Sequence, residues 1–366
     1  MGILQNGALP DQALTSALKP QYWRMFGCTD PWWCVTSVQQ FGKTKVTYDL
    51  SEPFKCSTCP APWDDWVAYE AYVGGAASAN IAKGRPVDYW DIWNEPEFTQ
   101  TPGATQDLLL ETYKRAYTVI RQTDPSAQIV GPSVSGISQP FLEAFMAYAQ
   151  NNKLLFDGIS WHEFINPESV PKNISQVKQR IKKYGLTTPL GGSPKLHINE
   201  YAFASNHLIP GWTVGWLYYL NQNQADLAWT SRACWNIPGG TNWDDTDCLK
   251  WLDGLLTKSG QTAPLYWVHR AQAEMNGKTI LSSQSTSPRA VALAAKDSKG
   301  EITLLVGRYS CGQTGMWCQE GAQSQVNDLP GPVIPVTVNL TNLGSVSSIE
   351  AELFRIPNKN LTGQLL

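Results

Sequence analysis

Charged side chains are scarce in this chain, and the basic ones are scattered. Only 16% of the 366 residues are Asp, Glu, Lys or Arg, and the formal net charge is -3. The 28 Lys and Arg residues form no run longer than two or three. Because a nucleic-acid-binding protein needs a dense basic patch to meet phosphates, the composition argues against a nucleic-acid partner and favours a neutral one.

Long apolar runs, metal-ligand spacings and phosphate-binding loops are also missing. No stretch is apolar for long enough to cross a membrane, so we expect no membrane partner. The four histidines lack ligand spacing and no glycine-rich phosphate loop is present, so the sequence predicts neither a metal nor another cofactor. The first ten residues lack the basic and apolar regions of a signal peptide, so a signal was either removed or lies upstream.

Cysteine is not scarce, and its spacing is informative. Eight cysteines allow about a hundred disulfide connectivities, but neighbours in sequence make the simplest pairs. The predicted pairs are Cys28–Cys34, Cys56–Cys59, Cys234–Cys248 and Cys311–Cys318. The CSTC segment at Cys56 could instead be a redox or metal motif, although no second CxxC accompanies it. Disulfides, with N-glycosylation sequons at Asn173, Asn339 and Asn360, predict a secreted glycoprotein.

Tryptophan is abundant, with 16 copies, many beside polar residues. Indole rings stack on the apolar faces of sugars, so this excess fits a carbohydrate-binding cleft. The alternative is that several tryptophans fill a large core.

Short apolar runs alternate with helical patterns from Tyr22 to about Asn236, as in parallel βα units. The candidate strands are YWRMFG at 22, KVTYDL at 45, YWDIWN at 89, QIVGPSV at 128, FDGISWHEF at 156, LHINEYAF at 196 and LAWTSRACW at 227. Helical periodicity is found in DLLLETYKRAYTVIRQ at 107, FLEAFMAYAQ at 141, ISQVKQRIKKYG at 174, GWTVGWLYYLNQNQ at 211 and PLYWVHRAQAEM at 264.

This order predicts a (β/α)8 TIM barrel, although only seven of its eight strands are recognisable. The first strand is either missing from this sequence or formed by residues whose pattern does not reveal it. From residue 278 onwards five alternating segments without helices predict an antiparallel β-sandwich. We therefore expect a catalytic barrel over residues 1–277 and a β-sandwich domain over residues 278–366.

Two glutamates occupy similar positions in this pattern. Glu95 and Glu200 each follow an asparagine at the end of a candidate strand. The carboxyl ends of barrel strands meet on one face, where active sites of this fold lie. Two carboxyl groups about 5 Å apart form the acid and nucleophile pair of a retaining glycoside hydrolase.

Residues 89–96, with the HINEY segment around Glu200, closely resemble clan A of the retaining (β/α)8 glycoside hydrolases. In that clan an Asn-Glu-Pro motif ends strand four and a second glutamate ends strand seven. The resemblance is nearest to glycoside hydrolase family 39, through Trp-Asn-Glu-Pro, GISWHEF and DGLLTKSGQTAPLYW. It implies that Glu95 is the acid/base, that Glu200 is the nucleophile and that Asn94 holds the sugar 2-hydroxyl.

Five further residues are assigned by the same resemblance or by their neighbourhood. Arg24 matches the arginine that supports the nucleophile, although a buried arginine needs a carboxylate partner in any case. His162 matches a histidine near the -1 sugar, and could equally be structural. Glu163 departs from the expected pattern and, if it points into the cleft, adds a third carboxylate. Trp235 fits a platform beneath the -1 sugar or interdomain packing, and Tyr201 is a candidate partner of the nucleophile.

The two glutamates should differ in acidity. Trp93 and Pro96 give Glu95 an apolar neighbourhood, which should raise its pKa, whereas the charge of Arg24 should stabilise the ionised form of Glu200. We interpret Asp88, Asp91 and Glu97 as solvated strand-end and loop residues.

The sequence thus predicts a secreted, monomeric retaining hydrolase that acts on a β-linked oligo- or polysaccharide, with xylosidase-like or another family 39-like specificity. Alternatives are an endo-acting hydrolase of another clan A family, a carbohydrate-binding barrel without activity, or an incomplete chain that does not fold. The intact glutamate pair argues against a pure binder.

Overall fold

A computed structural model describes residues 9–25, 31–203, 206–233, 252–257, 259–285, 290–309, 336–341 and 349–356. Its strands are β1 (Tyr22–Met25), β2 (Lys45–Asp49), β3 (Tyr89–Asp91), β4 (Ile129–Val134), β5 (Gly158–Glu163), β6 (Lys195–Tyr201), β7 (Leu227–Arg232), β8 (Thr279–Leu281), β9 (Ala290–Lys296) and β10 (Ile302–Arg308). Its helices are α1 (Gln12–Ala17), α2 (Pro31–Val38), α3 (Trp66–Ala82), α4 (Gln106–Thr123), α5 (Pro140–Asn151), α6 (Val170–Lys183), α7 (Pro210–Gln222) and α8 (Pro264–Met275).

The first seven strands form one parallel sheet in chain order, so all seven predicted barrel strands are confirmed. The sheet curls into a nearly closed TIM-like barrel. At its seam the ring of Tyr22 on β1 lies 4.7 Å from that of Trp229 on β7. No ladder joins these two strands, and the described part of the chain contains no eighth parallel strand.

The five predicted helices are confirmed as α4 to α8, and α3 is an addition. Helix α3 begins after Asp65, whose carboxylate accepts from the backbone N–H of Ala68 at 3.0 Å and so caps the helix. Its sequence, WVAYEAYVGGAASANIA, mixes small and apolar residues around most of its circumference. Without a clear apolar stripe, periodicity does not reveal the helix.

The barrel interior is built in layers. Side chains two residues apart on a strand share a face, so each strand contributes to successive layers. The lower layer is aromatic and comes from Tyr22, Tyr89, His197 and Trp229. Two residues further along the same strands, the next layer is polar and comes from Arg24, Asp91, Asn199 and Ser231. The site is built on this polar layer.

Many tryptophans are core residues. Six are completely buried: Trp23, Trp90, Trp93, Trp161, Trp216 and Trp229. For these six the core-filling interpretation is correct, because no face is open to a sugar.

Strands β8, β9 and β10 form a separate antiparallel sheet. One face of it packs on α7 and α8, where Trp212, Val214 and Val268 share an apolar cluster with Val291 and Leu305. The predicted sandwich needs a second sheet. Residues 336–341 and 349–356, from the last two predicted strands, form no ladder, and the rest of those strands lies outside the described residues.

The structure contains the Cys56–Cys59 disulfide, and Cys34 is also disulfide-bonded. Cys28, Cys234, Cys248, Cys311 and Cys318 lie outside the described residues, so those pairings stay predictions. Over the same described ranges, no helix combines the length and apolarity that crossing a membrane requires.

Candidate active site

Glu95 lies just beyond β3 in a left-handed backbone conformation, with φ of +46°. This conformation is uncommon for a residue with a side chain and clusters at functional sites. Two backbone hydrogen bonds hold it, from Glu95 N–H to the carbonyl of Ser133 at 3.0 Å and from Phe98 N–H to the carbonyl of Glu95 at 2.9 Å. The carboxyl group is 23% exposed and therefore reachable from the cleft.

Glu200 lies on β6 and is bound by Arg24 on β1. The Nη1 atom of Arg24 donates to Glu200 Oε1 at 2.7 Å, while Arg24 itself is buried. The Glu200 side chain is 13% exposed, so one side of the carboxylate faces the opening. The predicted contact between Arg24 and Glu200 is therefore present, and it gives this carboxylate a fixed cationic partner.

His162 on β5 brings the two carboxylates together. Its Nδ1 atom is 3.0 Å from Glu95 Oε1 and 3.8 Å from Glu200 Oε2. These two oxygens are thus separated by at most about 6.8 Å, the sum of the two distances. Carboxyl groups of retaining glycosidases are separated by about 5 Å, whereas those of inverting enzymes start at about 6.5 Å.

Asp91 is the centre of a buried network beneath this pair. Its carboxylate accepts from Arg24 Nε at 3.1 Å, from Arg24 Nη2 at 2.8 Å and from Asn199 Nδ2 at 2.9 Å. The Ser133 hydroxyl lies 2.9 and 2.8 Å from its two oxygens. Asp49 adds a second carboxylate 3.4 Å from Arg24 Nη2. A buried charge is tolerated only when it is paired and hydrogen-bonded in this way.

The interpretation of Asp91 as a solvated strand-end residue is therefore wrong. Burial raises its pKa to about 6, against the lowering effect of Arg24, so Asp91 is ionised at neutral pH. For Arg24, burial lowers the pKa, but Asp91, Asp49 and Glu200 together raise it above the ordinary value. Arg24 thus remains a cation within the barrel.

The expected raised pKa of Glu95 is also wrong for the free site. Burial does raise it, but the hydrogen bond and electrostatic effect of His162, with smaller contributions from Lys55 and Arg24, outweigh burial. The pKa of Glu95 therefore lies below its ordinary value. Trp93 and Pro96 are buried neighbours in sequence, yet a direct polar partner has the larger effect.

Comparison with known proteins agrees with this geometry. The sequence model of "Glycosyl hydrolases family 39" matches residues 85–186, which run from β3 to the end of α6 and include Glu95 and His162. No curated protein is similar enough in sequence to match.

Solved structures share the fold at low identity. A glucosidase from Croceicoccus marinus aligns with a TM-score of 0.64 at 17% identity, covering 83% of this chain and 72% of its own. A family 39 glycoside hydrolase from Bacteroides cellulosilyticus WH2 has a TM-score of 0.59 at 13% identity, covering 85% and 70%. A monomeric beta-xylosidase from Caulobacter crescentus CB15 has a TM-score of 0.56 at 14% identity, covering 81% and 74%.

The match over residues 85–186, together with the shared fold, supports a family 39-like glycoside hydrolase. The matched segment includes Asn94 and Glu95, and the solved structures share the barrel fold.

Asn94 precedes Glu95 in the chain and contacts Arg24, which also binds Glu200. Its Oδ1 atom accepts from Arg24 Nη2 at 2.9 Å, which fixes the orientation of the amide. The amide nitrogen has no protein partner within the described ranges. That nitrogen is a donor available to a substrate hydroxyl, and the predicted 2-hydroxyl contact stays a prediction.

Glu163 does not point into the cleft. It is buried on the outer face of β5, where it accepts a hydrogen bond from Trp161 Nε1 at 2.6 Å. Asn173 Nδ2 lies 2.9 Å from each of its two carboxylate oxygens. Burial raises its pKa to about 7 although these donors lower it. Because His162 faces the barrel interior, its neighbour in the strand must face outwards.

This contact also bears on the predicted glycosylation sites. The amide of Asn173 is engaged with Glu163 and half-buried, which does not suit a glycan attachment site. Asn339 is exposed, whereas Asn360 lies outside the described residues.

Tyr201 does not join the site as predicted. The ring of Tyr201 lies 6.0 Å from Trp216 on α7, on the opposite face of β6 from Glu200. Tyr201 lines a cavity of about 540 Å³ with Arg232 and Leu217. Trp235 lies outside the described residues.

Sequence reasoning missed four polar residues of the network: Asp49, Asp91, Ser133 and Asn199. One signal was available for Asp91, which interrupts the otherwise apolar run YWDIW. A charge within a buried strand requires a partner, and Arg24, which the resemblance placed beside the nucleophile, was available on another barrel strand. Ser133 carries no comparable signal, because serine is common in loops.

Within the ranges that the structure describes, no group of three His, Cys, Asp or Glu side chains could hold a metal ion. The chemical groups present are a buried arginine, a neutral or cationic histidine and two accessible carboxyl groups.

Proposed function

We propose that this glycoside hydrolase is a retaining enzyme that acts by double displacement on β-linked sugars. The observation that carries the proposal is the contact of His162 Nδ1 with both carboxyl groups, which limits their separation to the sum of 3.0 and 3.8 Å. This upper limit of about 6.8 Å includes the separation of about 5 Å found in retaining enzymes and excludes most of the inverting range, which runs from about 6.5 to 9.5 Å.

The roles follow from the partners. Glu200, with Arg24 at 2.7 Å, attacks the anomeric carbon, and the glycosidic C–O bond breaks as Glu95 gives its proton to the leaving oxygen. Water then enters, Glu95 takes its proton, and the ester bond to Glu200 breaks to release the sugar. Asn94 offers its amide N–H to the sugar beside the nucleophile.

For the substrate we propose a class of glycosides rather than a single sugar. The structural relatives include proteins described as a glucosidase and a beta-xylosidase, which supports β-glucosides and β-xylosides as first candidates. A panel of aryl β-glycosides and β-linked polysaccharides, with products separated by size, distinguishes exo from endo action.

Glu200→Gln tests the catalytic assignment. The variant should fold, because the amide oxygen still accepts from Arg24, but it cannot form the glycosyl ester. We expect activity to fall by several orders of magnitude, as for loss of other catalytic nucleophiles. Proton NMR of the first product formed by the wild-type enzyme should show the β-anomer, since two displacements retain configuration. Full activity of the variant would refute the role of Glu200, and an α-anomer would refute retention.

We also propose that the enzyme is secreted and acts as a monomer. The disulfide between Cys56 and Cys59 supports an oxidising compartment. The checks are whether the enzyme accumulates outside the cells that make it and whether its mass in solution is that of one chain.

A further inference from the structure

One buried nitrogen atom contacts both catalytic carboxyl groups. The His162 side chain has no exposed surface, and its ring centroid lies 5.3 Å from that of Phe164 in an edge-to-face arrangement. Strand β5 is irregular between Trp161 and His162, and the shifted register places His162 opposite Glu200 on β6. The imidazole is therefore held in place by the barrel, with Nδ1 directed at the space between Glu95 and Glu200.

The other ring nitrogen indicates where the proton resides. His162 Nε2 is buried and has no hydrogen-bond partner among the described residues. An unpaired buried N–H group is rarer than an unpaired acceptor, so the neutral ring should carry its proton on Nδ1. In that tautomer His162 is a donor to the carboxyl groups, with one N–H for two acceptors.

We propose that His162 is a positioning residue whose single Nδ1–H follows the negative charge as it passes between Glu95 and Glu200. The inference rests on the proposed double displacement. Before the first step Glu200 is the anion and Glu95 holds the proton. After it, Glu200 is a neutral ester and Glu95 is the anion, because its proton has gone to the leaving oxygen.

The second step reverses this distribution. Glu95 regains a proton from water, and Glu200 recovers its negative charge when the ester C–O bond breaks. A donor 3.0 Å from one carboxyl and 3.8 Å from the other needs only a small rotation to serve whichever is charged. It thereby stabilises each carboxylate anion in turn, while the net charge of the site stays the same.

The other charged neighbours cannot do this. Arg24 contacts Glu200 directly but has only a longer-range effect on Glu95, and Lys55 acts on Glu95 from a distance. Glu163 lies on the outer face of β5 and influences the ring only through its charge. Among the described Lys, Arg and His side chains, only His162 has a nitrogen within 4 Å of both carboxyl groups.

Two substitutions separate donation from packing. In His162→Asn the amide nitrogen comes near the position of Nδ1 and keeps a donor, whereas His162→Leu fills the space without one. We expect kcat/KM on an aryl glycoside to fall by about 100-fold or more in the leucine variant, comparable with losing one transition-state donor. The asparagine variant should retain most of the wild-type kcat/KM on the same aryl glycoside.

The pH profile supplies a readout that packing would not change. The acid Glu95 must be protonated, so kcat/KM falls as the pH rises through its pKa. His162 lowers that pKa, so the leucine variant should lose activity at a higher pH than the wild type. The asparagine variant should stay near the wild-type profile.

A titration without turnover keeps the inference separate from the proposed function. Infrared difference spectra, with Glu95→Gln as the subtraction reference, follow the carboxyl band of Glu95 directly. We expect its pKa to rise in the leucine variant. An unchanged pKa, or an asparagine variant as impaired as the leucine one, would overturn the inference. A wild-type protein that shows the His162-dependent shift but cleaves no glycoside would contradict the proposed function instead.

Folding is checked by thermal melts. If the leucine variant does not fold, the asparagine variant decides: a profile and activity close to wild type support the inference, and a loss of 100-fold overturns it.

Discussion

Arg24 is the residue on which the chemistry of the site depends most. It binds Glu200, Asp91 and the oxygen of Asn94 at distances of 2.7 to 2.9 Å, and all its charge is compensated inside the barrel. Removing one partner from such a buried cluster leaves an uncompensated charge, which costs more than the pair itself contributes. Substitution of Asp91 measures this cost in stability and in activity.

Asp91→Asn should lower both stability and activity. The asparagine is the same size, but it removes the buried negative charge that binds two nitrogens of Arg24 and places an amide nitrogen among donors from Ser133 and Asn199. We expect a loss of about 3 kcal/mol in the free energy of unfolding, typical of a broken buried pair. Because Arg24 then shifts towards other acceptors, kcat/KM should fall at least tenfold. Urea unfolding and initial-rate kinetics measure the two effects.

Asp88→Asn is the matched control at the other end of β3. Asp88 accepts one hydrogen bond, from the backbone N–H of Val46 at 2.8 Å, and an asparagine oxygen can accept it equally. The free energy of unfolding should change by no more than about 0.5 kcal/mol, with unchanged kinetics. Equal losses in both variants would show that any substitution on β3 is harmful and that Asp91 has no special role.

Strand β5 performs two functions on its two faces. His162 points into the barrel to Glu95, and Glu163 points outwards to Asn173 on α6. Adjacent residues in a strand must diverge in this way. Sequence reasoning grouped both residues with the cleft because buried parallel strands are apolar on both faces, so the pattern does not distinguish inside from outside.

Because Glu163 is buried on the outer face of β5, we expect the stability of the protein to depend on pH. Burial raises the pKa of Glu163 to about 7 from an ordinary value of 4.5. Between these values the folded protein holds a proton that the unfolded chain has released. The free energy of unfolding therefore falls as the pH rises from about 4.5 to about 7, by up to about 3 kcal/mol from this group.

Glu163→Gln should remove that dependence. The variant side chain is neutral at every pH, at a constant cost from one lost acceptor for Asn173. We therefore expect the stability of the variant, relative to wild type, to improve between pH 5 and about pH 7 and then to level off towards pH 8. Thermal unfolding midpoints across this range measure it. A difference between the two proteins that stays constant with pH would show that Glu163 is ionised throughout.

At the scale of the whole molecule, the barrel could be predicted from the sequence, and its closure could not. Seven strands and five helices were recognisable because short apolar runs and helical periodicity alternate along most of the barrel. The contact of Arg24 with Glu200 was predicted from the family resemblance. The network around Asp91 and Ser133 depends on which strands meet across the interior, and no local pattern encodes that meeting.

Packing of the β8–β10 sheet on the barrel depends on glycines. A Cβ atom at Gly215 on α7 would come within 2.7 Å of the ring of Tyr309, and one at Gly307 on β10 would come within 2.4 Å of Val214. Such distances require the sheet and the helix to move apart. The absence of side chains at these positions therefore sets how closely the sheet approaches α7.

Gly215→Ala and Gly75→Ala separate this contact from helix propensity. Both are helical glycines, and alanine favours either helix by about 1 kcal/mol. Gly75 on α3 has open space around it, so Gly75→Ala should stabilise the protein by about 0.5 to 1 kcal/mol. Gly215→Ala forces Tyr309 away and should destabilise it by about 2 kcal/mol, as in overpacked cores. If the sheet and barrel unfold together, tryptophan fluorescence and circular dichroism will report one lowered midpoint for Gly215→Ala. A midpoint raised in both variants would contradict the close packing of the sheet on α7.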